Sequence, residues 1–288
     1  MYKALELLKK AKDNHFAIGA FNVCNIETLK AIAQAAEKLQ APIILEASDG
    51  EVNYFGIKEL TAVVKILRND LNIPLILNLD HGKDFETCKR AIEAGFDYIH
   101  FDGSALPLED NIKITQEVVK IAHKYNLPVE GEMDRIQGSS EDHTKENPAK
   151  YQMEGKYTDS EAAYGFVKKT GIDVFAAFIG NLHGTFATSE KLNFDILKKL
   201  TVILPNTYFS LHGGSGISAD QIKKAVEMGI VKVNVNTDMR IVFKKVLQKT
   251  LNESDEIAFY KLAQPAISAV QEVVEEKIKL FKLASLSD

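Results

Sequence analysis

Along the chain, short runs rich in β-branched and aromatic residues alternate with longer stretches in which apolar residues recur every three or four positions. The short runs predict strands over 16–22, 42–47, 75–80, 98–102, 128–132, 174–179, 208–212 and 231–236. Between them the helical period covers 26–39, 57–71, 85–94, 111–125, 160–169, 194–200 and 219–228, and an amphipathic helix opens the chain at 1–10. Strands that alternate with helices pair parallel, because each connection has to cross over the sheet. Eight such units with no Gly/Pro/Ser-rich linker predict an α/β fold, a single (β/α)8 TIM barrel spanning 1–288 as one domain, with a long C-terminal helical extension over 237–288. The alternation breaks once. From 133 to 157 the chain is polar, carries Gly138-Ser139-Ser140-Glu141-Asp142-His143 and shows no period, which predicts a structureless, mobile active-site loop.

Composition narrows the function. With 45% hydrophobic and 26% charged residues the chain can fill a core of this size. A net charge of −5 without a dense basic cluster excludes a nucleic acid or an anionic membrane as partner. Two distant cysteines, Cys24 and Cys88, form no disulfide framework and favour a reducing compartment. The N-terminus lacks the apolar core of a signal peptide, and no apolar run approaches the roughly 18 residues that span a bilayer. A cytoplasmic protein is expected. No GxGxxG follows the first strand, so a dinucleotide-binding doubly wound sheet is disfavoured.

Barrel enzymes build their sites at the C-terminal ends of the strands, so polar residues there carry the chemistry. Three of the seven histidines, His81, His183 and His212, stand at such ends, each followed by glycine. With Asp102 and Glu132 beside them they supply the nitrogen and oxygen donors of a catalytic zinc site with one open position. His15, His100 and His123 lack this placement and read as structural or solvent-exposed. After the seventh and eighth strands, Gly213, Gly214 and Gly216 allow close backbone approach, and Ser215 and Thr237 add hydroxyls, where barrels commonly bind phosphate.

Five ordered motifs, Asn78-Leu-Asp-His-Gly82, Gly131-Glu-Met133, Ile179-Gly-Asn-Leu-His-Gly184, Leu211-His-Gly-Gly-Ser-Gly216 and Lys232-Val-Asn-Val-Asn-Thr-Asp238, span nearly the whole chain. Together they resemble the class II (zinc-dependent) ketose-bisphosphate aldolases, in the shorter branch that contains fructose- and tagatose-bisphosphate aldolases. The resemblance implies that His81, His183 and His212 hold Zn2+, with Glu132 and Asp102 as alternative or second-site ligands. It implies that Asp80 exchanges a proton with the C4 hydroxyl, that Asn234 contacts the enediolate, and that Gly184, Gly213, Ser215, Asn236 and Thr237 cradle the ketone-side phosphate. It also implies a monovalent cation, Na+ or K+, nearby.

The activity so implied is a carbon–carbon lyase of carbohydrate metabolism. It reversibly cleaves fructose 1,6-bisphosphate to dihydroxyacetone phosphate and glyceraldehyde 3-phosphate through an enediolate that a zinc ion stabilises as Lewis acid. Tagatose 1,6-bisphosphate, differing at C4, is the alternative substrate, and a non-catalytic sugar-phosphate-binding barrel is the reading from another class. The chain departs from the family where a loop glutamate is expected: Ser140 stands there and Glu141 follows, so the proton carrier is Glu141, or Asp142 or another group. Ala105 also stands where relatives often have histidine. In the tail, Ile257, Phe259, Leu262, Ile267, Val270 and Val274 recur at near-helical spacing and predict packing on the barrel or on a second subunit, a homodimer or higher homo-oligomer.

Overall fold

A computed structural model describes residues 3–283. Ten strands form: β1 (Ile18–Asn22), β2 (Ile43–Ser48), β3 (Leu75–Gly82), β4 (Tyr98–Asp102), β5 (Val129–Glu132), β6 (Gly138–His143), β7 (Val174–Ala176), β8 (His183–Phe186), β9 (Tyr208–Leu211) and β10 (Ile230–Val235). Eight of them close a parallel barrel in the order β1-β2-β3-β4-β5-β7-β9-β10, and β10 pairs back onto β1. All eight strands expected from the sequence are the barrel strands.

The helices follow each strand because the turns carry start and stop chemistry. Asn25 caps the helix Ile26–Leu39 by accepting the Thr28 N–H at 2.9 Å, and Asp84 caps Phe85–Ala94 by accepting the Thr87 N–H at 2.7 Å. Gly95, in the left-handed region at φ 93°, stops the second of these.

Strand alternation sorts the side chains. Phe21, Ile43, Leu45, Leu77, Ile99, Phe101, Phe175 and Val233 face outward into the main core against the helices. The inward set is layered along the barrel axis. At the amino end Ile18, Ile44, Ile76, Val174 and Val231 pack with Leu7 and Leu8 of the helix Ala4–Asp13, which plugs that mouth. Above them sit buried polar residues: Glu46, Asn78, Glu130 and Lys232, then Asn22, Asp80, His100, Glu132, His212 and Asn234 at the carboxyl end.

The segment 133–157 differs from the structureless loop expected. It contains β6 and the helix Pro148–Glu154, and β6 pairs in parallel with β8 outside the barrel. This strand shows no hydrophobic alternation because its partner lies 45 residues further on in the Gly138–His183 pairing and most of its side chains face solvent. The short helix Asp49–Phe55 was missed as well. A capping box between Ser48 and Glu51 nucleates it, and two turns are too few to show a period. The C-terminal extension comprises Thr237–Glu253 and Phe259–Leu283; residues 284–288 of the expected tail, and Met1 and Tyr2 of the first helix, lie outside the described residues. No described helix is long and apolar enough to cross a membrane.

Candidate functional site

β3 delivers two groups to the carboxyl mouth of the barrel through an irregularity. Neighbours in a regular strand point to opposite faces, yet Asp80 and His81 both line the same small cavity. The register with β4 slips between Leu79 and Gly82, and His81 takes a left-handed backbone at φ 50°. That bulge re-aims the strand, at a conformational cost that a non-glycine residue bears only when its surroundings enforce it. Part of the enforcement is His100, whose Nδ1 accepts the His81 N–H at 3.2 Å.

Two imidazoles meet in the cavity. His81 Nε2 lies 3.1 Å from His212 Nδ1, while the outer nitrogens are tied to carboxylates, His81 Nδ1 to Asp102 at 2.8 Å and His212 Nε2 to Glu130 at 2.7 Å. Burial opposes a charge on His81, but Asp80 and the bond to Asp102 outweigh it and raise its pKa to about 10. Burial, only partly offset by Glu130, lowers His212 to about 4, and burial together with His81 lowers His183 to about 3. The carboxylates accept from the outer nitrogens, which leaves the two inner nitrogens facing each other. The ring of His183 stands 5.1 Å from that of His81 and 5.7 Å from that of His212, closing the third side.

The donor set fits a divalent metal ion. Donor atoms of Asp80, His81, His100 and His212 lie within 4.8 Å of one another, as do those of His81, Asp102 and Glu132. Among these groups Glu132 Oε2 and His100 Nε2 are buried without a hydrogen-bond partner. Burial and the neighbouring Asp102 push Glu132 up to about 8. His183 stands just outside the two tight sets. His100, read as structural or solvent-exposed from the sequence, is wholly buried with its ring centre 4.5 Å from that of His81, so it belongs to the cluster. The signal was available: His100 sits two residues before Asp102 on β4 and so points to the same face. His15 is exposed and His123 pairs with Asp173 at the surface, as expected.

Asp80 accepts hydrogen bonds from Asn22 Nδ2 at 3.0 Å and Asn234 Nδ2 at 3.4 Å. Burial would raise its pKa, but His81, His100, His212 and Lys232 together hold it well below the usual carboxylate range. It is thus held as a carboxylate, although it is buried. Asn22 itself is held by Glu51, which accepts from it at 2.9 Å and from Arg240 at 2.7 Å.

All five residues expected to cradle phosphate, Gly184, Gly213, Ser215, Asn236 and Thr237, line the same cavity. Gly213, at φ 73°, brings its backbone so close to β8 that a Cβ would lie 1.8 Å from the Leu182 carbonyl oxygen. Thr237 opens the helix Thr237–Glu253, whose first N–H groups face the cavity end and favour an anion. Behind Gly216 lies the buried carboxylate of Glu190; burial, only partly offset by the backbone N–H groups of Glu190 and Leu182, pushes its pKa up to about 7.

The loop residues are placed differently from one another. Ser140 lines the cavity, whereas Glu141 is exposed and its Oε2 lies 3.2 Å from the Ser139 hydroxyl; Asp142 is exposed and caps Thr144. Ala105 is exposed on the turn after β4.

Residues 2–285 match the family model for class-II fructose-bisphosphate aldolase, and the chain belongs to that family: it is an aldolase, a carbon–carbon lyase. Aldolases of this family act on sugar phosphates and are generally metal-dependent. The chain is 37% identical over 284 residues to a 6-phospho-5-dehydro-2-deoxy-D-gluconate aldolase of Shouchella clausii, covering 97% of this chain and 94% of the relative. It is equally 37% identical over 282 residues to a fructose-bisphosphate aldolase of Staphylococcus aureus, covering 96% and 95%. Among solved structures, the YdjI aldolase from Escherichia coli K12 superposes with a TM-score of 0.82 at 30% identity, covering 98% of this chain and 97% of the other.

Proposed function

We propose that the chain reversibly cleaves fructose 1,6-bisphosphate to dihydroxyacetone phosphate and glyceraldehyde 3-phosphate, with Zn2+ held by His81, His183 and His212. The observation that carries this is the pair of inner imidazole nitrogens 3.1 Å apart, beside an ionised Asp80 and a glycine-lined cradle. Bound there, the cation supplies the positive charge that stabilises the enediolate left by carbon–carbon cleavage. Asp102 and Glu132 lie on the far side of His81 and suit a second or alternative metal position. Asp80 takes the proton of the C4 hydroxyl in cleavage and returns it in condensation, oriented by Asn22 and Asn234. Asn234, 3.4 Å from His212 Nδ1 as well, is placed to donate to the enediolate. Gly184, Gly213, Ser215, Asn236 and Thr237 hold the ketone-side phosphate, with Na+ or K+ beside them.

Glu141 is our candidate for proton transfer at the three-carbon enediolate. Its carboxylate reaches the cavity only if β6 shifts on β8. The register irregularity between Gly138 and Asp142 is where such a shift would occur. Glu141→Ala should then slow exchange of that carbon's proton with solvent and leave phosphate binding intact; unchanged exchange would transfer the role to another group. The substrates place the enzyme in cytoplasmic carbohydrate metabolism. The exposed Ile257, Phe259 and Tyr260 support association with a second copy of the chain.

A second reading is favoured by the comparisons, where a deoxygluconate-phosphate aldolase stands level with a fructose-bisphosphate aldolase. The substrates for which these two relatives are named both carry a ketone next to a phosphorylated carbon, and they differ in the distal half. The test is side-by-side cleavage of fructose 1,6-bisphosphate, tagatose 1,6-bisphosphate and 6-phospho-5-dehydro-2-deoxy-D-gluconate by one preparation of stated metal content. The highest kcat/KM for fructose 1,6-bisphosphate bears out the proposal, and a higher value for either of the others overturns it.

A further inference from the structure

Beneath the imidazoles lies a polar layer that touches neither the cavity nor the cradle. Its centre is Glu130 on β5, which receives four hydrogen bonds: His212 Nε2 at 2.7 Å and Ser210 Oγ at 2.6 Å on Oε1, Tyr98 Oη at 2.6 Å and Lys232 Nζ at 2.9 Å on Oε2. A carboxylate offers about four lone-pair sites, so each one is filled. The donors come from β4, β10, β9 and the residue that follows β9, and each of these side chains is 2% exposed or less. Lys232 is pinned in turn by Glu46 at 2.8 Å, which also accepts from Asn78 at 2.8 Å, and its ammonium lies 5.4 Å from the centre of the Tyr98 ring.

Stability alone does not account for this layer. A buried lysine–glutamate pair costs so much desolvation that apolar residues of similar volume generally serve a fold equally well or better. Its hydrogen-bonded link to the rim above is His212. Because Glu130 can only accept, it requires the proton of His212 to sit on Nε2, and this leaves Nδ1 bare and aimed at His81.

We infer that Glu130 is a positioning residue of the metal site, fixing His212 in the tautomer and rotation that present Nδ1, and that Lys232 holds Glu130 in place from below. The inference rests on the metal reading above. Glu46, one step further away, supports Lys232 and does not bear on His212 directly.

The test measures Zn2+ affinity by chelator competition, and the visible spectrum of the Co2+-loaded chain, for the wild type, Glu130→Gln and Glu46→Gln. Glu130→Gln is expected to weaken metal binding about 10–100-fold and to change the Co2+ spectrum, as loss of an outer-shell partner does elsewhere. Glu46→Gln should leave both near the wild type. Wild-type affinity and spectrum in Glu130→Gln, or an equal loss in Glu46→Gln, would overturn the inference while leaving the metal reading intact. A wild-type chain that binds neither ion would overturn the metal reading and this inference with it. Should Glu130→Gln fail to fold, imidazole 15N–1H correlation on the zinc-loaded wild type decides: a proton on His212 Nε2 bears the inference out, and one on Nδ1 overturns it.

Discussion

Asp80 and His81 are chain neighbours with different duties, and the β3 bulge makes that division possible. His81 turns its inner nitrogen toward His212, while Asp80 accepts a hydrogen bond from Asn22. Asp80→Ala should therefore keep its zinc content, measured by elemental analysis, and lose about 10²–10⁴-fold in kcat, the range for a general base. Loss of zinc in step with activity, and full recovery in excess metal, would instead make Asp80 a ligand support. Glu190 makes a separate prediction. Its carboxyl titrates near 4.5 when free and near 7 when folded, so between those values the folded chain holds a proton that the unfolded chain has lost. Stability then falls as pH rises through that window, and the penalty stays constant above it. Glu190→Gln should raise Tm at pH 8 and match the wild type near pH 4; a difference independent of pH would contradict this assignment. His81 and His212 stand out in the sequence because each lies at the carboxyl end of a barrel strand beside a glycine, whereas His183 opens β8. His100 and the Glu46–Glu130–Lys232 layer do not stand out, because single charged residues inside short strands look like surface positions until the barrel closes around them.

At the scale of elements, what could be read was set by contact range. Strands and helices whose stop and start signals lie in adjacent residues, such as Asn25 before Ile26–Leu39, appeared at the expected places. β6 and β8 did not, since each depends on the other. Arg240 ties this outer pair to the barrel, donating to the Ser140 carbonyl at 3.1 Å and to Glu51 of the helix Asp49–Phe55 at 2.7 Å. Because Glu51 also holds Asn22, the same arginine connects the outer strand with the support of Asp80. Arg240→Met should lower hydrogen-exchange protection across 138–143 and leave the barrel strands unchanged, since few other tethers hold β6 from that side. Equal protection in mutant and wild type would show that β8 alone fixes β6.

For the whole molecule, inward alternation along eight strands produces an apolar plug, a polar layer centred on Glu130 and a reactive rim, stacked in that order. The barrel itself was legible because eight β/α units can close in few ways. The C-terminal extension was legible as helix, but its apolar line divides: Val270 and Val274 are wholly buried on the barrel, whereas Ile257 and Phe259 are exposed by 93% and 62%. Phe259→Glu should reduce the mass measured by light scattering if that patch joins two copies, with the monomer still folded; an unchanged mass would place any association elsewhere. The central claim is that carbon–carbon cleavage depends on a divalent cation held by the three histidines, without a covalent link to lysine. The most direct measurement is release of dihydroxyacetone phosphate from fructose 1,6-bisphosphate by a preparation verified free of metal, before and after addition of Zn2+ or Co2+, with borohydride present in a parallel sample. The account predicts no turnover without metal, recovery on its return and no substrate trapped on the protein. Undiminished turnover in the metal-free preparation, or a borohydride-trapped adduct, would contradict it.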